Sequence, residues 1–378
     1  MDFSFSPEHE QIRETARRFA RLELAPLVEA AEDGEALPRE IFRKGGALGL
    51  LGARYPVEVG GSGFDKLSDC IVREETAKVC QSFAAAWSAH SAVVMGPLWR
   101  AGTPDQQERY LRPGLAGEFI GAFALSEPDI GSDIRNLSTR AEKVDGGWRL
   151  NGSKMYITNA PVADLMLVAA RTRPELAPAS ISLFLVDLPD PGVTIAHLKK
   201  EGLRASDTGA VFLEDVFVPD ANLLGEREGT YPVILESLSE NRVGVSANCL
   251  GLATAALEAA QAYASERKVR GEPIARFQAI AHKLADMAAQ VEAVRWLVYY
   301  GAWRVDQGTI DMATASKVKL TASEAAVRIS EQAIRIFGGA GIMRDFPVGR
   351  IHRDALVYVI AEGTSEIQRN IISRAMKL

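Results

Sequence analysis

Cysteine and histidine are both scarce in this chain, and each scarcity removes a class of chemistry. Three cysteines at wide spacing, Cys70, Cys80 and Cys249, make neither a disulfide framework nor a zinc site. They fit a reducing compartment. The five histidines are scattered, with no HxxxH pair and no acid at ligand spacing, so no metal is expected. A GxSxG elbow, a Cys–His arrangement and a P-loop are also missing. Excess positive charge is absent as well: a net charge of −6 leaves no footprint for nucleic acid or an anionic membrane. No apolar run approaches the roughly 18 residues of a membrane span. The start MDFSFSPEHEQ is acidic and lacks the cationic and apolar regions of a signal segment. The expectation is a soluble, cytoplasmic protein.

What remains is ordinary globular composition, 47% hydrophobic and 24% charged. At 378 residues the chain exceeds one typical core, so two or three domains are expected. Residues 1 to about 120 read as helices. Ser6-Pro7 with Glu8 and Glu10 is a helix start, and Ile12, Ala16, Phe19 and Leu22 follow at helical spacing. Gly60, Gly61 and Gly63 mark a plain turn, and a helix pair is expected over 67–98 and 104–111. From Phe119 the period shortens. Runs at 119–125, 148–150, 154–158, 165–169, 181–186, 193–197 and 210–218 are strand-like, split by Asp145-Gly146-Gly147, Asn151-Gly152 and Pro189-Asp190-Pro191-Gly192. Strands without intervening helices predict an antiparallel sandwich or small barrel. After Gly225 the helical period returns in three long helices, 231–265, one carrying Ile280, Leu284, Met287, Val291, Val294 and Val298 on one face, and 311–337, the last stopped by Gly338-Gly339.

The fourth helix of that bundle begins after the apolar run 355–360. Ser365 with Gln368 reads as a capping box, and Ile367, Ile371, Ile372 and Met376 form its stripe. Just before it stands Glu362, followed by Gly363, which frees the backbone. A carboxylate beside a helix N-terminus is either a base held against a bound anion or an acid near an ordinary helix start.

Other candidates are equally two-sided. The segment 123–133, with Ser126, Gly131 and Ser132, offers donors that would cradle a polar ring edge or phosphate, yet Ser, Gly and Asp also populate turns. Tyr156 and Thr158 share one strand face, suited either to a flat heterocycle or to a half-buried sheet. Arg267, Gln278 and Arg335 suit a pyrophosphate, or are merely solvated. If the chain is an enzyme, its only well-placed acid or base is Glu362, and a cofactor must carry the hard chemistry.

In their order and spacing these segments resemble the acyl-CoA dehydrogenase family of flavoproteins. The motifs at 123–133, 151–159, 202–225, 267–286, 335–344 and 362–369 carry the resemblance, which covers almost the whole chain. It implies an α+β multidomain fold: an N-terminal helical domain (1–119), a middle antiparallel β-barrel (120–226) and a C-terminal four-helix bundle (227–378). It implies FAD, an acyl-CoA or acyl-carrier-protein thioester as substrate, an electron-transfer flavoprotein as acceptor, and a homotetramer. Glu362 matches the catalytic base, removing the α-proton while the β-hydrogen leaves as hydride. Phe123, Leu125, Ser126, Tyr156, Ile157 and Thr158 match positions around the flavin, and Gly131 and Ser132 border FAD and pantetheine. Thr364 and Glu366 match further FAD contacts. Arg267, Gln278, Arg335, Gly338 and Gly339 match contacts to a neighbouring subunit's FAD. Ser239, Arg242 and Gly363 match the substrate side.

Some relatives carry the base on the bundle helix, where this chain has Asn241, so Glu362 is the assigned base. Glu240 lies about 100° around the helix from that place. Three departures stand out: Ala361 where an aromatic is common, Arg270 for phenylalanine, and Arg335 for glutamine. They leave acyl length and branching open. Oxidase-like, decarboxylating and carrier-protein-directed relatives are the alternatives within enzymes. DNA-protecting relatives would be expected to show a basic C-terminal extension, whereas this chain is net acidic up to Leu378.

Overall fold

The structure, a computed structural model, describes residues 4–176 and 178–378; the start at residues 1–3, read above for a leader, lies outside them. Helix α1 (Pro7–Phe19) begins as its residues dictate. Ser6 Oγ accepts from His9 N, His9 Nδ1 accepts from Ser6 N, and Pro7 occupies the first turn. Ile12, Ala16 and Phe19 are buried, but Leu22 is 51% exposed. The chain widens into a π-turn over Ala20–Leu24, and the extra residue rotates Leu24 inward in place of Leu22.

Helix α2 (Glu40–Ala47) follows. The first of the pair expected from residue 67 is a succession instead: α3 (Lys66–Val79), α4 (Gln81–Ser91) and α5 (Met95–Ala101). The second, 104–111, is helical as expected, a short turn Pro104–Gln106 running into a π-turn over Gln107–Leu111. The break after α3 is Cys80, whose extended backbone ends one helix and opens the next.

Seven strands form one sheet: β1 (Gly121–Ala124), β2 (Arg140–Val144), β3 (Gly147–Thr158), β4 (Leu165–Arg171), β5 (Ile181–Asp187), β6 (Val193–His197) and β7 (Thr208–Pro219). The order is β1-β4-β2-β3-β7-β6, with β5 on the other edge of β4. Two corrections to the expected antiparallel barrel follow. The sheet is mixed, because β1 and β2 run parallel to β4. It is also a half-barrel, because β5 and β6 have no further partner strand. Burial explains why closure is unnecessary. Leu165, Leu167 and Ala169 face the helical segment through Met95, Leu98 and Leu111, while Met166, Val168 and Ala170 face Trp148, Leu150 and Val211. Helices cover what a barrel would close.

Asn151-Gly152, expected to be a turn, lies inside the 12-residue strand β3. Gly152 sits at a register shift with φ 153°, where a Cβ would come within 2.6 Å of Thr139 Oγ1. A second shift, between Lys154 and Ile157, puts Tyr156 at φ 62° and leaves it 71% exposed. Beneath the sheet Lys154 Nζ meets Glu127 Oε1 at 2.9 Å, both side chains fully buried. Ser138 and Thr139 add two backbone and two hydroxyl donors to the same carboxylate.

The C-terminal region holds α6 (Tyr231–Glu266), α7 (Gln278–Asp306), α8 (Met312–Phe337), α9 (Pro347–Tyr358) and α10 (Ser365–Ala375). Helix α9 was not expected: the apolar run at 355–360 is its last turn and the residues after it. By length and composition alone α6 is long and apolar enough to cross a membrane, although polar residues interrupt it throughout, and 83% of its most apolar window is buried in the bundle. It is a core helix. On α9, Asp354 is fully buried; Oδ1 accepts from Leu203 N at 2.7 Å and Oδ2 has no partner.

Candidate active site

Between α9 and α10 the backbone makes a forced turn. Ala361 N and Ile360 N bond to Val357 O, and Ser365 N bonds to Val359 O at 2.8 Å. Glu362 (φ 58°) and Gly363 (φ 87°) are both left-handed. Glycine tolerates this freely, whereas a glutamate there costs about 1–3 kcal/mol. Two fully buried side chains hold the turn. Lys319 Nζ and Gln368 Nε2 each donate to Gly363 O at 2.8 Å, and Gln368 also reaches Glu362 O at 3.3 Å. The expected capping box is displaced by one residue. Thr364 is the N-cap, accepting from Ile367 N, and Gln368 spends its amide on the turn. Ser365 is buried as the first helical residue, and Met376 is exposed rather than part of a buried stripe.

The turn leaves two groups of one residue without partners. The N–H of Glu362 donates to no acceptor among the described residues. Its Oε2 is sealed from solvent and likewise unpartnered. Burial pushes the Glu362 carboxyl above the ordinary glutamate range; Asn241, Arg242, Lys319 and Arg73 pull it only part of the way back. Arg242 is buried, with Nε and Nη1 unpartnered, and burial lowers its pKa against the opposing pull of Glu362. A carboxylate with one sealed, unpartnered oxygen beside a buried guanidinium with two unpartnered nitrogens is expensive, and such groups cluster at functional sites.

The remaining expected residues fall into separate groups. Phe123, Leu125 and Ser126 adjoin Tyr156 through the bond from Met155 N to Ser126 O, at 2.9 Å. Tyr156 and Thr158 face outward, but Ile157 is inside the sheet core, so it offers only its backbone. Gly131 and Ser132 are exposed, and a Cβ on Gly131 would meet nothing within 4 Å. Ser239 is half-buried and donates to Leu235 O. Asn159 Nδ2 ties the end of β3 to Ala86 O on α4 at 2.8 Å. Two residues on, Ser88 touches Arg73, which touches Asn241 beside Glu362. Helix α4 therefore links the strand group to the carboxylate.

A third group lies apart. Arg267, Gln278, Arg335, Gly338 and Gly339 are exposed at the far ends of α6, α7 and α8. Twenty-five residues separate Arg242 from Arg267 on α6, about 38 Å along the helix axis. The guanidinium of Arg267 has no partner among the described residues, and that of Arg335 has only Glu331. Thr364 spends its hydroxyl as the cap, and Glu366 pairs loosely with Arg369.

FAD fits these residues: an exposed tyrosine over a bulged strand suits a flat ring, and open glycines with unspent arginines suit phosphates. Sequence reasoning missed Arg73, Lys319 and Asp69. The signal was there in Arg73, a lone guanidinium inside the helical stretch Cys70-Ile71-Val72.

Together, the fold and site define a flavin-dependent oxidoreductase. The family models of the acyl-CoA dehydrogenase N-terminal, middle and C-terminal domains match residues 6–118, 122–216 and 229–377. The probable acyl-CoA dehydrogenase YngJ of Bacillus subtilis (strain 168) is 40% identical over all 378 residues, with both chains covered completely. Butyryl-CoA dehydrogenase from Megasphaera elsdenii superimposes with a TM-score of 0.96 at 36% identity, covering 100% of both chains. A chain from the electron transferring flavoprotein of Acidaminococcus fermentans gives 0.97 at 36% identity, covering 100% of this chain and 99% of that one. The chain belongs to the acyl-CoA dehydrogenase family. It is an FAD-dependent oxidoreductase acting on acyl-CoA.

Proposed function

We propose that Glu362 is the base of an α,β-dehydrogenation and that its own N–H helps polarise the thioester carbonyl. The carrying observation is the turn itself, which leaves the N–H and one carboxylate oxygen, Oε2, of the same residue without protein partners. In the reaction the Cα–H bond breaks and its proton passes to Glu362. Bound FAD would supply the two-electron acceptor for the β-hydride, so that a trans carbon–carbon double bond remains. The Glu362 N–H stabilises charge that develops on the thioester oxygen during proton removal. The raised pKa of Glu362 strengthens it as a base. Lys319 and Gln368 keep the N–H and carboxylate pointing the same way. Arg242 lies against the thioester end, and Ser239 and Gly363 border the substrate.

Phe123, Leu125, Ser126, Tyr156, Ile157 and Thr158 surround the flavin ring. Gly131 and Ser132 lie between cofactor and pantetheine, and Thr364 and Glu366 touch the cofactor further along. The Arg267 group is too far along α6 to reach the same site, which supports its service to a neighbouring subunit's FAD and hence a homotetramer. Electrons leave to an electron-transfer flavoprotein. Three buried free thiols suit a cytoplasmic setting.

The test is an anaerobic visible titration of the flavin-loaded protein with acyl-CoAs of differing chain type. Bleaching by an acyl-CoA, lost in Glu362→Gln while the bound flavin spectrum is kept, is the expected result. Bleaching that persists in Glu362→Gln would remove Glu362 from the role of base.

A further inference from the structure

The helical wall behind Glu362 carries charge where a plain fatty acyl chain would call for hydrocarbon. Helix α3 presents Lys66, Asp69 and Arg73, with side chains 2%, 12% and 6% exposed. Lys66 Nζ meets Asp69 Oδ2 at 2.5 Å, and Arg73 Nε lies 3.1 Å from both Asp69 oxygens. Arg73 Nη1 donates to Ser88 Oγ at 2.9 Å and to Asn241 Oδ1 at 3.3 Å. Its Nη2 donates to nothing among the described residues. Helix α6 makes room for this guanidinium, since a Cβ on Gly244 would come within 2.7 Å of Nη1.

Around it three carboxylates are each shared by two cations. Asp69 is shared by Lys66 and Arg73. Glu240 is shared by Arg54, at 2.5 Å, and Arg100. Glu362 lies in the field of Arg242 and Lys319. Asp306 also adjoins Lys66, accepting its backbone N–H at 2.7 Å, so six cations (Lys66, Arg73, Arg54, Arg100, Arg242 and Lys319) stand among four acids (Asp69, Glu240, Glu362 and Asp306). Buried cations in excess of their partners are costly unless an anion completes them. Arg242 lies against the thioester. Arg73 stands one side chain beyond the base, with Asn241 between them.

We propose that the acyl group carries its own carboxylate, bound by Arg73, so that the substrate is the monothioester of a dicarboxylic acid. This rests on the assignment of Glu362 as the base. A guanidinium with one amino group unspent offers a charge-assisted bond to a carboxylate. Ser88 and Asn241 fix Nη1 without adding charge, and the carboxylate on Nε, Asp69, is shared with Lys66.

The experiment compares two acyl-CoAs of equal chain length, one ending in methyl and one in carboxylate. Flavin reduction gives kcat and KM for the wild type, Arg73→Met and Arg73→Lys. The wild type should prefer the carboxylate-ended substrate by on the order of 100-fold, the worth of one charged hydrogen bond in a closed site. Arg73→Met should erase that preference, mainly through KM, and Arg73→Lys should restore part of it. A wild type that bleaches with the methyl-ended acyl-CoA alone overturns the proposal while leaving Glu362 as base. So does Arg73→Met lowering both substrates equally, which would make Arg73 a support for the wall. If neither acyl-CoA bleaches the flavin, the assignment of Glu362 fails and this inference with it. The wild-type ratio needs no variant, so poor folding of Arg73→Met cannot shield the proposal.

Discussion

Glu127 and Glu362 are both removed from solvent, each with a lysine nearby, yet their carboxyls are driven in opposite directions. Burial alone would raise both. At Glu127 that push is overcome by Lys154 and by the Ser138 and Thr139 donors, which hold the carboxyl down at about 2. At Glu362 no hydrogen bond reaches Oε2, and the nearby lysine spends its ammonium on the Gly363 carbonyl instead. The carboxyl stays above its ordinary range. A satisfied buried acid is a fastener, and an unsatisfied one is a reagent. The sheet uses the first to anchor the loop of residues 125–139, and the bundle leaves the second with an open oxygen, as the proposed base requires.

Substitutions can break that contrast at either end. The largest effect belongs to Glu362→Gln, which should slow flavin reduction about 10³-fold or more. The same change should raise the melting temperature at pH 7 to 8. A carboxyl whose folded pKa exceeds its unfolded value opposes folding above the unfolded value, and a neutral amide removes that opposition. A lowered melting temperature would place Glu362 with Glu127 as a structural acid.

Next comes Lys154→Met, which strands Glu127 and should cost about 3 kcal/mol in chemical denaturation. Glu127 contributes in the other sense: its stability is present at neutral pH and is lost as pH falls from the ordinary glutamate range toward 2. Glu127→Gln should therefore flatten the acid limb of a stability–pH curve. Smaller again is Lys319→Met, expected to lower kcat about 10-fold by loosening the turn. Activity should fall as pH drops through the Glu362 pKa, and this variant should move that acid limb upward, since a cation that favours the carboxylate is gone. An unmoved limb would reduce Lys319 to a support of the helix.

The smallest effect is at Asp354. Burial raises its carboxyl to about 6, with the Leu203 N–H opposing. Wild-type stability should drop as pH rises from 4 through 6, and Asp354→Asn should remove the drop, gaining about 1 kcal/mol at pH 7. Melting curves at pH 5 and pH 8 decide it.

How much of this could be read from residues alone depended on whether the cause was local. The start of α1, the end of α8 at Gly338 and the run of β6 follow from caps, glycine and alternation within a few positions. Helix α9 was missed although Val348, Ile351, Ala355 and Tyr358 are spaced for one buried face. Its other residues, Arg350, Arg353 and Asp354, look like loop polars until their partners Val79 O, Glu32 and Leu203 N are brought in from elsewhere in the chain. The half-barrel escaped for a similar reason, because nothing in a strand announces that helices will cover its face. In the site, Glu362 was legible by resemblance and by its glycine. The wall of Arg73 and Asp69 was not, since their partners lie on α4 and α6.

Helix α6 carries a last consequence, for the order of synthesis. Its 36 residues are apolar enough to pass for a membrane segment, and the helix packed most extensively on it, α8, begins only at Met312. For as long as translation takes to reach that point, the nascent chain holds a long oily rod without its cover. Exposed surface of that kind aggregates readily before its partners arrive. A chain halted before Met312 should be recovered bound to chaperones or as insoluble material, whereas the completed chain buries the same helix.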